Sequence, residues 1–297
     1  MTKEQRAAVD AQFRQADFDG GRSPEEMRAA FAELMAGPPP AGVTLAPTKL
    51  GGRPALEFVP DEGAGDGVIL YFHGGAWIMG SPATAQKLTA ALVRRTGARA
   101  VSLDYRLAPE HPFPAAIEDG VAAYRELLDQ GIPAERIIVA GDSAGGGLTI
   151  TTLLAARDAG LPLPAGAVAF SPGLDVTRSG ESMTTKAGVD PLFTKESLQR
   201  LSEFHMAGQD PYQPLASPAV YADLAGLPPL LLQVGTNEVL LDDSTRLATR
   251  AATAGVDVIL DVTGDVPHVF QAYEGVLDEA DAALDRAGRF IRDRLTS

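Results

Sequence analysis

Hydrophobic positions along this chain follow two different periods. Up to about residue 36 they recur at helical spacing, with Met27, Phe31 and Leu34 on one face. Ser23-Pro24-Glu25-Glu26 reads as a helix start: serine caps, proline fits the first turn, and a glutamate stands at the third position. Gly37-Pro38-Pro39-Pro40 stops the helix. From about residue 43 the pattern becomes short apolar, β-rich runs, at 68–72, 98–103, 136–140, 166–170, 230–234 and 256–262. Helical stretches at about 82–96, 114–130, 144–159 and 242–254 separate most of them, and 278–295 is a last amphipathic helix. Such alternation predicts right-handed crossovers and a mostly parallel twisted sheet flanked by helices, an α/β fold. Residues 43–60 are expected as antiparallel edge strands, and 1–36 as a peripheral helical lobe. The alternation breaks at 175–225, where a helix over 194–207 lies between Pro-rich loops. An insertion there falls over the carboxyl ends of the strands, where α/β proteins bind ligands.

The length, 297 residues, suits one large domain, alone or with a small cap. A composition of 45% hydrophobic and 22% charged residues is that of a soluble globular chain. No apolar run reaches spanning length, and the polar start Met1-Thr2-Lys3-Glu4 lacks a signal-peptide core. With no cysteine, disulfides, thiolate metal sites and a cysteine nucleophile are excluded, and a cytoplasmic location is expected. The formal net charge of -14 argues against nucleic acid and anionic membrane surfaces as partners. It favours a neutral or cationic substrate over an anionic one.

Candidate chemistry centres on Gly141-Asp142-Ser143-Ala144-Gly145, which follows a β-branched run and precedes a helix. In that context Gly-x-Ser-x-Gly is a nucleophile elbow: a sharp turn lifts the serine oxygen above the sheet. A serine nucleophile needs a base, and the sequence holds four histidines. His73 directly follows a strand, His111 lies in a Pro-rich loop, and His205 reads as a helix cap or surface residue. His268 follows the last core strand and comes after Ser143, as the chain order Ser, acid, His requires. The acid should stand between the 230–234 strand and His268. Glu238 lies just past the strand end; Asp242 and Asp243 lie in the next helix's first turn, where carboxylates are favoured anyway; Asp265 lies in the histidine's own loop. His73-Gly74-Gly75 offers closely approaching main-chain N–H groups, so Gly74, Gly75 and Ala144 are the expected oxyanion donors.

With these residues assembled, the chain closely resembles the hormone-sensitive-lipase-like branch of the α/β-hydrolases, the bacterial family IV esterases. His73-Gly74-Gly75-Ala76-Trp77 is similar to that family's oxyanion motif, with Ala76 where many members have a third glycine. Asp104-Tyr105-Arg106-Leu107-Ala108-Pro109-Glu110 and the following His111-Pro112-Phe113-Pro114 resemble its supporting loop. Gly141-Asp142-Ser143-Ala144-Gly145 resembles its nucleophile motif, and Val266-Pro267-His268-Val269-Phe270 its histidine loop. The family's acid stands in an Asp-x-Leu-x-Asp stretch, matched here by Glu238-Val239-Leu240-Leu241-Asp242. The resemblance therefore implies Glu238 as the acid, with glutamate for the usual aspartate.

The resemblance further implies an α/β-hydrolase catalytic domain over 43–297, capped by a helical segment over 1–42 and an insertion at about 175–225. Trp77, Met27, Phe31, Met206 and Leu215 are expected to line the substrate pocket, although a helix-face core role would also explain each. The implied activity is carboxylic-ester hydrolysis of small to medium, largely uncharged substrates, with no metal and no cofactor. A lactone hydrolase or small-molecule deacetylase would use the same triad. A non-catalytic receptor on this fold, like the plant gibberellin receptors, would lack the catalytic histidine, whereas His268 is present. A homodimer through the sheet edge or the C-terminal helix is the assembly implied.

Overall fold

A computed structural model describes residues 3–15 and 21–296. Residues 1–2 and 16–20, part of the expected N-terminal helical segment, lie outside the described residues. Within them the N-terminal segment forms two helices, α1 (Lys3–Gln15) and α2 (Pro24–Leu34). The expected capping box starts α2: the Glu26 N–H donates to Ser23 Oγ at 3.2 Å, and the Ser23 N–H donates to Glu26 Oε2 at 2.8 Å.

The described residues build an eight-stranded sheet in the order β1-β2-β4-β3-β5-β6-β7-β8. The strands are β1 (Val43–Leu50), β2 (Arg53–Pro60), β3 (Val68–Phe72), β4 (Arg99–Leu103), β5 (Ile137–Asp142), β6 (Gly166–Phe170), β7 (Leu230–Gly235) and β8 (Val258–Thr263). β1 and β2 form the antiparallel edge, and β3 through β8 run parallel. β5 begins one residue later than the sequence suggests because Ala134–Arg136 closes a 3₁₀ turn.

Helices α3 (Gln86–Thr96), α4 (Ala115–Asp129) and α5 (Ala144–Asp158) connect the first parallel strands. Between β6 and β7 the chain carries α6 (Ser182–Thr185), α7 (Lys195–Met206) and α8 (Pro218–Tyr221). α9 (Leu241–Thr253) and α10 (Asp278–Leu295) complete the order. α3 and α10 cover one face of the sheet, packing Leu92 and Ile291 against Ile69 and Ile138. α4, α5 and α9 cover the other, with Leu127, Leu153 and Leu247 over Leu70 and Val139. Cover on both faces explains why β3, Val-Ile-Leu-Tyr-Phe, is apolar without alternation and wholly buried. Among the described residues no helix is long and apolar enough to cross a membrane.

Two smaller apolar clusters seat the peripheral helices. Met27 of α2 packs with Ile78, Met79, Leu198 and Leu201, joining α2 to α7 and to the loop after β3. Arg28 fastens the same helix by donating to the Ile78 and Ala108 carbonyls at 2.8 and 2.9 Å. Val9 and Phe13 of α1 pack against Val266, Phe270 and Leu277, and Arg6 pairs with Glu279 at 2.5 Å.

Candidate active site

Ser143 stands between β5 and α5 at φ 53°, ψ −117°, a strained conformation for a residue with a side chain. The strain is held by its surroundings. The Ser143 N–H donates to the Phe170 carbonyl at 2.8 Å, and its own carbonyl accepts from Gly147 and Gly173, both at 3.0 Å. A Cβ on Gly145 would collide with the Phe72 carbonyl oxygen, so glycine lets α5 start this close to β3.

His268 lies five residues past β8 and is 3% exposed. Its Nε2 is 2.9 Å from Ser143 Oγ, and its Nδ1 is 2.8 Å from Glu238 Oε2. Glu238 follows β7 and is fully buried. Its other oxygen, Oε1, accepts from the Gly235 N–H at 2.6 Å and from the Ser171 hydroxyl at 2.7 Å. Burial by itself would lower the His268 pKa, but the hydrogen bond and charge of Glu238, with the charges of Asp190 and Asp142, outweigh it and raise the value above 6.5.

The other carboxylates are engaged elsewhere. Asp242 Oδ2 accepts from the Ser182 N–H at 2.9 Å, tying α9 to the β6–β7 excursion. Asp243 Oδ2 accepts from the Leu174 and Asp175 N–H groups at 2.6 and 3.0 Å, and burial pushes its pKa up to about 7. Asp265 pairs with Arg6 at 3.1 Å.

The loop after β3 places the expected oxyanion donors Gly74 and Gly75 differently. Gly74 does not line the cavity above Ser143; it packs against Asp142, whose Oδ2 a Cβ on it would strike. Gly75 and Ala76 line the cavity above Ser143 instead, at φ 123° and 54°. Among the described residues neither of their N–H groups meets an acceptor. Asp142 also accepts from Tyr71 Oη at 2.7 Å, and burial pushes its pKa up to about 6. His73 stacks on Tyr105 behind this loop (ring centroids 4.2 Å apart), and burial lowers its pKa to about 4. Among the described residues no group of three metal-ligating side chains comes together.

A family model described as alpha/beta hydrolase fold matches residues 69–272. An acetyl-hydrolase of Streptomyces hygroscopicus is 44% identical over 268 residues, 90% of this chain and 87% of that protein. An esterase of Acinetobacter venetianus is 35% identical over 249 residues, 84% of this chain and 82% of its own length. The crystal structure of an esterase from the bacterial hormone-sensitive lipase family superposes with a TM-score of 0.95 at 41% identity, covering 99% of both chains. The chain belongs to the α/β-hydrolase family, in its hormone-sensitive-lipase branch. A hormone-sensitive lipase from a metagenome library is likewise similar to this α/β-hydrolase, with a TM-score of 0.94, 45% identity and 98% of both chains covered.

Above Ser143 the hydrolase has a cavity of about 430 Å³. Of the five expected pocket residues, Phe31 alone lines it. Met27, one helical turn earlier, points into the α2–α7 cluster and is 1% exposed. Met206 is buried in the main core, and Leu215 packs against that core. Trp77 lies against Gly147 and Gly173 and stacks on His205, with centroids 4.4 Å apart and planes at 15°. His205 is therefore a buried core histidine rather than a cap or surface residue; burial, then the Arg178 charge, lowers its pKa to about 3. The lining includes residues that the sequence reading missed: Val9 and Phe13 of α1, Phe193 from a loop, and Tyr273 from the 3₁₀ turn Phe270–Tyr273. The Phe193 ring meets His268 edge-on at 5.1 Å. Val9 and Phe13 form an i, i+4 apolar pair in a polar helix, a signal that was available; Phe193 and Tyr273 follow no period.

Proposed function

We propose that this hydrolase cleaves small to medium, largely uncharged carboxylic esters through an acyl-enzyme on Ser143. The observation that carries the reading is the unbroken relay from Glu238 to His268 to Ser143, with contacts of 2.8 and 2.9 Å, opening into a mainly apolar cavity. Ser143 Oγ bonds to the acyl carbon while His268 Nε2 takes its proton. The C–O bond to the alcohol then breaks, and Nε2 returns the proton to the leaving oxygen. Water adds next, giving a proton to the same nitrogen; the carboxylic acid departs and Ser143 is reprotonated. Glu238 fixes the imidazole tautomer and stabilises the imidazolium. Gly75, Ala76 and Ala144 N–H groups hold the oxyanion, each worth roughly 3 kcal/mol by analogy with other donors of this kind. As the first residue of α5, Ala144 has no intrahelical acceptor for its N–H.

Residues 1–42 and the insertion at about 175–225 act in this reading as the cap over a catalytic domain spanning 43–297. The relative from Streptomyces hygroscopicus is named an acetyl-hydrolase, which makes acetyl esters of larger alcohols the first substrates to try. We also take the enzyme to be cytoplasmic, in keeping with a chain that holds no cysteine. It would pair as a homodimer along the edge strand β8, where Ile259 and Val262 are 47% and 43% exposed.

Ser143→Ala tests the reading. Its kcat for p-nitrophenyl butyrate should fall by a factor on the order of 10⁶, by analogy with a serine protease. A fluorophosphonate should label the parent at Ser143 and leave the variant unlabelled. Near-parental turnover by the variant would overturn the mechanism.

A further inference from the structure

Ser171 has no part in the relay, yet it touches both of its supports. It directly follows β6, is fully buried, and sits in the left-handed region at φ 44°. Such a conformation is unfavourable for a serine and persists only where surrounding contacts hold it. Its N–H donates to the Gln233 carbonyl of β7 at 2.7 Å. Its hydroxyl donates to Glu238 Oε1 at 2.7 Å and accepts from the Val269 N–H at 3.0 Å. Val269 directly follows His268 and is itself left-handed, at φ 50°. One hydroxyl thus joins the loop that carries the acid to the loop that carries the base.

The need for such a bridge follows from the acid being a glutamate. Glutamate has one more rotatable bond than aspartate, and its terminal torsion is broad rather than staggered. With Oε2 on His268, the carboxylate is aligned only if Oε1 is also held. Oε1 has two donors, the Gly235 N–H and the Ser171 hydroxyl. Glycine would relax the backbone at φ 44° but has no hydroxyl to offer.

We propose that Ser171 is a positioning residue: its hydroxyl locks the Glu238 carboxylate and, through Val269, the backbone of His268, keeping the imidazole in line with Ser143. The proposal rests on the Ser143–His268–Glu238 reading above.

Ser171→Gly removes the hydroxyl at a backbone conformation that glycine adopts freely, and Ser171→Ala carries the same test should the glycine variant not fold. Steady-state kinetics with p-nitrophenyl butyrate should give a kcat lowered about 10- to 100-fold, as for other residues that orient a reacting group, with KM within about twofold of the parent. Combined with Glu238→Ala, the same change should cost less than about twofold more, because its effect passes through the carboxylate. The proposal is overturned if the Ser171 variants keep parental kcat, or if their loss multiplies fully with that of Glu238→Ala. Should Glu238→Ala alone keep full activity, the triad reading fails first, and that outcome is distinct from the other two.

Discussion

The floor of the cavity and its roof face the same space but are held by different forces. On the floor, Ser143, Glu238 and His268 sit on loops at the carboxyl ends of three strands, and main-chain hydrogen bonds hold those loops in place. Ser143 is gripped through Phe170, Gly147 and Gly173, and Glu238 through Gly235. The roof, α1 and α2, is seated by apolar side chains and by the long arms of Arg6 and Arg28. Proton transfer demands hydrogen-bond reach and alignment, which neighbouring strands supply. Enclosing an ester needs only apolar surface of suitable shape, which side-chain packing supplies and which tolerates change better.

If that contrast is right, floor substitutions should act on kcat and roof substitutions on KM. The largest effect should come from the acid. Glu238→Gln should lower kcat about 10⁴-fold, as loss of the triad carboxylate does elsewhere. Asp242→Asn, four residues away, should change kcat less than about threefold while costing about 1 kcal/mol of stability through Ser182. Steady-state kinetics and thermal unfolding of the two variants decide the matter, and reversed results would move the acid to Asp242.

A smaller effect should follow pH. In the proposed relay His268 serves as a base only when neutral, and its pKa is raised above 6.5. Below that raised value kcat/KM should therefore fall about tenfold per pH unit, with a midpoint above 6.5. A profile flat down to pH 5 in single-turnover measurements would remove His268 from its role. Smallest of all should be the change from Phe31→Ala, expected to raise KM for butyrate esters about tenfold with kcat within about twofold. Met27→Ala, on the same helix, should instead cost about 2–5 kcal/mol of stability and leave KM unchanged. Loss of kcat in the Phe31 variant would mean that roof and floor are not separate.

The same division decides what could be read from the sequence. Ser143 was legible because an elbow is local: a strand, two close-contact glycines and a helix lie within a few residues. His268 was picked out by chain order, because it follows both Ser143 and the last strand of the alternating pattern. Which residues of the loop after β3 reach the cavity could not be read, because the course of that loop depends on the turn at Gly75 and on Asp142, which lies 68 positions beyond Gly74. Met27 and Phe31 share a helix face, and periodicity says which face is apolar but not which residue meets a core and which a cavity. Ser171 carries no pattern at all; its position is defined by two loops that only the folded sheet brings together.

The stacked pair of Trp77 and His205, between the loop after β3 and α7, has a practical consequence. Trp77 is the only tryptophan in the sequence and belongs to the loop bearing Gly75 and Ala76, while its ring partner belongs to α7. Burial holds the pKa of that imidazole far below 6.5, at about 3, so the ring stacked on the indole is neutral near pH 7. Intrinsic fluorescence excited at the indole therefore monitors α7 coming off that loop, an optical gauge supplied by the protein without any added dye.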